Sequence, residues 1–153
     1  MHAGHKKMFV MIILASALFS PNVVAHAGET VSQRTLLKAV NSIRAQYNLP
    51  GLALHPALQK AAREQSVLMA RAGKMTHRVG WRHSFSARLK RVGYRGIAAE
   101  NIARGQKSLQ RVLRGWMNSP GHRRNMLHPR MRYFGLDVVK GGGRNYWAMI
   151  LGG

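Results

Sequence analysis

Three short segments of this 153-residue chain carry the side chains best suited to chemistry. His77 follows "KMT", Glu100 lies within "AENIARG", and His122 lies within "WMNSPGHRRNML". Two imidazoles and one carboxylate form a ligand set that zinc and similar divalent ions accept. With an ion on the histidines, a bound water could be activated, with Glu100 as ligand or general base. Because 45 residues separate His77 from His122, only the fold can bring the two together.

Each of these residues also has a structural interpretation. His122 follows Ser119-Pro120-Gly121, which predicts a turn, so it is either a ligand or base or a loop residue that bonds the backbone. Glu100 stands in an apolar run, where a carboxylate must be paired or hydrogen-bonded. It is therefore either a ligand or an anchor for its own segment, with Asn101 assisting. Asn125 is expected to hydrogen-bond the loop backbone, and both asparagines are candidate binding residues.

The surrounding pattern predicts several helices followed by paired strands. Apolar residues at helical spacing predict the helices, and period-two alternation with β-prone residues predicts two late strands. The segment "KGGGRN" predicts a flexible hairpin turn between those strands. This order favours an α+β domain over a doubly wound parallel sheet. The predicted elements are helices at 33–48, 56–72 and 85–93, an amphipathic stripe at 109–117, and strands at 131–139 and 144–151.

Charge is the strongest signal in the composition. The chain has 25 Lys and Arg residues against 4 Asp and Glu, a formal charge of +21, and it has no cysteine. Such a charge attracts polyanions. An alternative is that the arginines only form a solvated surface. The residues predicted to form one basic surface are Arg111, Arg114, Arg123, Arg124, Arg130 and Arg132, of which Arg123 and Arg124 are candidate binding residues beside His122.

The first 27 residues have the pattern of a secretory signal peptide. Lys6 and Lys7 precede the apolar run "MFVMIILASALF", and Ala25 and Ala27 occupy the small-residue positions of an A-x-A cleavage site. Cleavage after Ala27 would leave a domain of residues 28–153, secreted or periplasmic. Removing Lys6 and Lys7 leaves 23 basic and 4 acidic residues, a net charge of +19.

The order of these motifs resembles the CAP superfamily, the SCP-like group that includes cysteine-rich secretory proteins, antigen 5 and pathogenesis-related 1 proteins. The resemblance rests on "AENIARG", "WMNSPGHRRNML" and a final "YW" strand, covers about residues 36–151, and is greatest to the short bacterial branch. It implies a three-layer α-β-α sandwich with a central antiparallel sheet. It also implies a cleft lined by two histidines and two acids, where some members bind zinc.

By motif position, His77 and His122 match the two family histidines, and Glu100 matches the first acid. The second acid of the family falls shortly after Trp116, where this chain has no carboxylate. The resemblance therefore implies a zinc or other divalent-ion site of His77, Glu100 and His122. We expect it to bind weakly, because the net positive charge repels cations.

From the sequence we expect a monomeric binding module rather than an enzyme. Its cleft would take a small ligand or ion, such as a lipid or sterol-like molecule, and its basic surface would bind anionic envelope polymers or lipids. One alternative is a metal-assisted hydrolase that uses His77, Glu100 and His122. Another is a polyanion or nucleic-acid binder that acts through charge alone, although export argues against a nucleic-acid partner.

Overall fold

The computed structural model describes residues 32–153, which form five helices and four strands. The predicted signal peptide and its cleavage site lie outside the described residues. Within them, no helix is both long enough and apolar enough to cross a bilayer. In chain order the elements are α1 Gln33–Gln46, β1 Ala53–Leu54, α2 Pro56–Ala72, α3 Phe85–Arg91, β2 Ala98–Arg104, α4 Leu109–Asn118, α5 Pro120–Met126, β3 Tyr133–Gly141 and β4 Arg144–Gly152.

Helix α2 begins and ends where the sequence predicts. The ring of His55 accepts a hydrogen bond from the Ala57 N–H at 3.2 Å, and Pro56 occupies the first turn, where a missing N–H costs nothing. Gly73 ends the helix with a φ of 62°, a left-handed conformation that glycine adopts without strain. These two signals define the ends of α2, and Leu58, Ala61 and Ala62 pack it against the sheet.

The segment around Pro120 differs from the prediction of a simple turn. Ser119 alone separates α4 from α5, and Pro120 starts the new helix. Proline is accepted there because the first N–H groups of a helix have no intrahelical partner. The Arg123 N–H donates to the Ser119 carbonyl at 2.8 Å and closes the first turn. His122 therefore lies in the first turn of a helix and not in a loop.

The sheet has the strand order β1-β3-β4-β2. The predicted late hairpin is confirmed, because β3 and β4 pair antiparallel. The apolar run around Glu100 forms β2 on the far side of β4. The expected antiparallel sheet needs one correction. The two-residue strand β1 pairs parallel with β3, so the sheet is mixed.

Helices cover both faces of the sheet, which confirms the three-layer α-β-α sandwich. Helices α1, α4 and α5 pack on one face through a core that includes Val40, Trp116 and Met149. Helices α2 and α3 pack on the other face, where Leu58 contacts Ile150. Because Met149 and Ile150 are consecutive strand residues, they point to opposite faces. We call these the α1–α4–α5 layer and the α2–α3 layer.

Candidate functional site

Strand β2 lies at an edge of the described sheet and carries both Glu100 and Asn101. It pairs with β4, where Glu100 is opposite Ile150 and Asn101 is opposite Met149. Glu100 therefore faces the α2–α3 layer and Asn101 faces the α1–α4–α5 layer. Two consecutive residues thus present one polar side chain to each helical layer.

Glu100 is buried between a histidine and an arginine. Its side chain is 2% exposed, its Oε1 lies 2.8 Å from His77 Nδ1, and its Oε2 accepts a hydrogen bond from Arg88 Nη2. Arg88, on α3, is itself fully buried, so each charge offsets the cost of burying the other. A carboxylate only accepts hydrogen bonds, so the His77 proton that faces it lies on Nδ1. In neutral His77 the exposed Nε2 then carries the lone pair.

Arg88 also closes the loop of residues 77–83. Its Nη1 donates to the carbonyl of His77 at 3.2 Å and to the carbonyl of His83 at 2.7 Å. One guanidinium therefore ties the two ends of the loop to each other and, through Glu100, to the sheet. This geometry supports the anchoring interpretation of Glu100.

Asn101 joins β2 to α5. Its buried side chain donates to the His122 carbonyl at 3.1 Å and accepts from Asn125 Nδ2 at 2.8 Å. The expectation that Asn125 bonds the loop backbone is therefore wrong, since its partner is a side chain. The reason is that residues 120–126 form a helix, which turns the Asn125 side chain toward β2 and Asn101.

His122 approaches His77 from the other helical layer. Its ring is half-buried, with its centroid 6.5 Å from that of Trp116. Burial lowers the pKa of His122 below its ordinary value, and the charge of nearby His77 lowers this pKa further. The fold thus places the two histidines near enough for their charges to interact, and it favours the neutral form of His122.

These side chains do not fit a resident metal ion. Within residues 32–153, no three His, Cys, Asp or Glu side chains are arranged to hold one. Glu100 is committed to Arg88 and His77, so the two imidazoles would have to hold the ion without a protein carboxylate. Zinc sites have three or four protein ligands. We therefore derive no chemistry through a metal at this position.

The six predicted arginines of the basic surface are all exposed. The Arg123 guanidinium carbon lies 5.0 Å from the ring centroid of Tyr47, which follows α1. A groove of about 370 Å³ lies next to it. This groove is lined by Arg123, Arg124, Leu127, His128 and Pro129. The exposed arginines of the basic surface are Arg111 and Arg114 on α4, Arg123 and Arg124 on α5, and Arg130 and Arg132 in the following loop.

The acidic residues of the described chain all face the other layer. Glu64 lies on α2 and pairs with Arg91 of α3. Asp137 accepts from Ser66 Oγ of α2 at 3.1 Å. Burial raises the pKa of Asp137, and the bonds from Ser66 and Arg63 lower it in part. Together with Glu100, these are the only acidic residues among 32–153, so the described α1–α4–α5 layer has no Asp or Glu side chain.

Two buried arginines were not singled out as site residues in the sequence. Arg88 is one, and Arg44 of α1 is the other: its side chain donates to the carbonyls of Pro50 and Met126, each at 2.8 Å. Burial, and then the charge of Arg132, lower the pKa of Arg44. A signal for Arg44 existed, because it continues the four-residue spacing of Leu36 and Val40 on the apolar face of α1. Arg88 has a similar signal, because it lies at helical spacing between Phe85 and Val92 on the apolar face of α3.

The mixed sheet between two helical layers, with a histidine pair at its edge, defines an SCP-like sandwich domain. The model of the cysteine-rich secretory protein family, CAP, matches residues 37–151, so this chain belongs to that family. The uncharacterized protein YkwD of Bacillus subtilis (strain 168) is 33% identical over 125 residues, which are 79% of this chain and 48% of YkwD. The chain thus spans about half the length of that curated relative.

Solved structures of bacterial proteins share the fold. An extracellular protein containing an SCP domain from Bacillus anthracis is 28% identical with a TM-score of 0.68, covering 78% of this chain and 39% of that chain. An outer surface protein from Borrelia burgdorferi is 22% identical with a TM-score of 0.70, covering 78% of this chain and 90% of that chain. At 22% identity, the second likeness supports the fold alone.

Proposed function

We propose that this protein is an exported bacterial binding module that attaches to anionic components of the cell envelope through its basic surface. The observation that carries the proposal is that the described acidic side chains are confined to one helical layer. Six exposed arginines lie on α4, on α5 and in the loop after α5, whereas the described acidic residues face the opposite layer. The extracellular protein from Bacillus anthracis supports the proposed location by its description.

A second binding feature accompanies this surface. His122 is half-buried and has a lowered pKa, which favours its neutral form, and the ring of His77 is exposed. Both rings can hydrogen-bond a small ligand at the β2 edge. The groove beside Arg123 and Arg124, about 370 Å³, falls within the size range of small-molecule sites and suits a small lipid or sterol-like molecule with an acidic group. A divalent ion is not part of the proposal, because Glu100 is held by Arg88.

No observation favours the metal-assisted hydrolase. That mechanism needs Glu100 as a ligand or base, and both carboxylate oxygens are engaged within the protein. A general base must reach the proton that it abstracts. We therefore propose binding as the function and assign no catalytic step.

The double variant Arg123→Gln/Arg124→Gln tests the proposal. The probe is soluble poly(glycerol phosphate), and the dissociation constant is measured by calorimetry at low salt. We expect roughly tenfold weaker binding, because two phosphate contacts are lost. The matched control is Lys60→Gln/Lys90→Gln, which removes the same charge from exposed positions in the α2–α3 layer. Equal losses in both variants would show that net charge acts without a defined surface.

A further inference from the structure

We infer that the 77–83 loop is a membrane-docking device that places Trp81 in the headgroup region of an anionic lipid bilayer. This inference rests on the proposed binding of anionic envelope components and assigns the lipid part of that binding to a specific surface. It also gives the His77–Glu100–Arg88 cluster a purpose, namely to hold the loop in position.

Trp81 is the most exposed of the large apolar side chains in the described chain. It is 76% exposed, whereas Trp116 and Trp147 are each 2% exposed. An indole is costly to leave in water, and tryptophan is enriched at membrane interfaces, where one end is apolar and the other polar. Met75, just before the loop, is a second exposed apolar side chain of the same segment, at 52% exposure.

The segment that carries these two side chains is cationic. Residues 73–84 contain no Asp, Glu, Asn or Gln. The Arg82 guanidinium carbon lies 5.0 Å from the ring centroid of Trp81, so a surface that contacts Trp81 also meets this cation. Apolar side chains between lysines and arginines match the headgroup region of an anionic bilayer. A sugar platform would need acceptors for hydroxyl groups, and carboxylate and amide side chains are missing here. The cations of the segment are Lys74, Arg78 and Arg82.

The helices of the α2–α3 layer hold the base of this loop at four carbonyls. Arg88 donates to the carbonyls of His77 and His83. Gln65 donates to the Thr76 carbonyl at 2.6 Å, and Arg91 donates to the Arg82 carbonyl at 3.1 Å. These bonds fix the backbone on both sides of the tip, while the Trp81 side chain points away from the core. A docking side chain on a fixed loop loses little conformational entropy on binding.

The tryptophan content of the protein makes the inference directly measurable. The three tryptophans are Trp81, Trp116 and Trp147, so Trp81 dominates quenching by acrylamide from the solvent. The exported protein is mixed with vesicles of phosphatidylcholine alone or with phosphatidylglycerol added. We expect phosphatidylglycerol vesicles to shift the emission to shorter wavelength and to protect it from acrylamide. Trp81→Phe should abolish both changes.

Binding itself is measured by sedimentation with the same vesicles. Trp81→Ala should weaken partitioning by about tenfold, because an indole leaves water on binding. Arg78→Gln/Arg82→Gln should weaken it by about twenty-five-fold at low salt, since each cation near an anionic surface adds roughly fivefold. Arg95→Gln/Lys140→Gln, at exposed positions outside the loop, is the charge-matched control and should lose less. Both loop variants should still bind soluble poly(glycerol phosphate) as the wild type does.

Two outcomes would overturn the inference. In the first, Trp81→Ala binds vesicles as well as the wild type and Trp81 stays open to acrylamide, while the Arg123→Gln/Arg124→Gln variant still loses polymer binding. The proposed function would then survive without this loop. In the second, soluble peptidoglycan fragments protect Trp81 and vesicles do not, which would make the loop a glycan site. Failure of the wild type to bind either anionic probe would contradict the proposed function itself.

Discussion

Arg88 carries the buried positive charge around which the candidate site is built. Its guanidinium is fully buried, pairs with Glu100 and ties the two ends of the 77–83 loop. Buried ion pairs add little net stability when compared with apolar replacements, but removing one partner leaves the other charge uncompensated. The burial of the Glu100 carboxylate is therefore explained by the arginine that it neutralises.

Glu100→Gln should strongly destabilise the protein. Gln keeps the size of the side chain but removes the charge opposite Arg88, and we expect a loss of about 3–5 kcal/mol in the free energy of unfolding. Urea denaturation measures it. The control is Glu64→Gln, which removes the same charge from a partly exposed pair with Arg91 and should cost no more than about 1 kcal/mol. Similar losses in the two variants would contradict a central role for Glu100.

His122 should make the fold sensitive to mild acid. Burial holds its pKa below 6.5 in the folded chain, while the unfolded chain titrates near 6.5. The unfolded state therefore binds more protons once the pH falls below 6.5. The stability associated with neutral His122 is present above 6.5 and is lost as the pH falls through the folded pKa.

The matching experiment compares urea unfolding of the wild type and His122→Asn at about pH 7.5 and about pH 5. The wild type should lose more stability on acidification than the variant, and an NMR titration of His122 should give a midpoint below 6.5. An equal loss in both proteins, together with an ordinary midpoint, would refute this account of His122.

Among the elements, α5 depends most on its neighbours. It has seven residues, which is too short for an isolated helix to persist in water, and its Ser119 cap makes no side-chain hydrogen bond. Asn101 of β2 holds its first turn, and Arg44 of α1 holds the carbonyl of its last residue, Met126. The position of His122 is thus set by two other elements.

Asn101→Ala should release α5 from β2. The variant loses the bonds to the His122 carbonyl and to Asn125, and we expect faster amide hydrogen exchange across residues 123–127. Asn118→Ala, at an exposed position at the end of α4, is the control and should leave this exchange nearly unchanged. Unchanged protection of α5 in Asn101→Ala would show that Arg44 and core packing suffice.

Elements with their own local signals could be predicted from the sequence, whereas those formed by long-range contacts could not. Pro56 and Gly73 bound α2, and the glycine-rich turn joins β3 to β4, because these signals act over a few residues. The run that forms β2 has no clear period, because both of its faces are covered by helices. The pairing of Glu100 with Arg88 joins a strand to a separate helix, and no spacing rule predicts such a contact.

At the scale of the whole molecule, the described acidic side chains all belong to one of the two helical layers. The described acidic residues neutralise part of the α2–α3 layer, while α4, α5 and the loop after them expose only basic charges. Both layers carry basic residues, but on α4, α5 and the loop after them no acidic side chain offsets the positive field that attracts polyanions. The 77–83 loop adds an apolar contact on a second surface, so envelope binding is proposed to use both charge and an indole.

The salt dependence of polymer binding tests the central claim most directly. The dissociation constant for soluble poly(glycerol phosphate) is measured for the wild type and His122→Ala between about 50 and 200 mM NaCl. If the basic surface binds the polymer, affinity should fall at least about tenfold over this range, with the same slope in both proteins. Binding that does not change with salt would contradict the account. Binding that disappears in His122→Ala would also contradict it and would place recognition at the histidine pair.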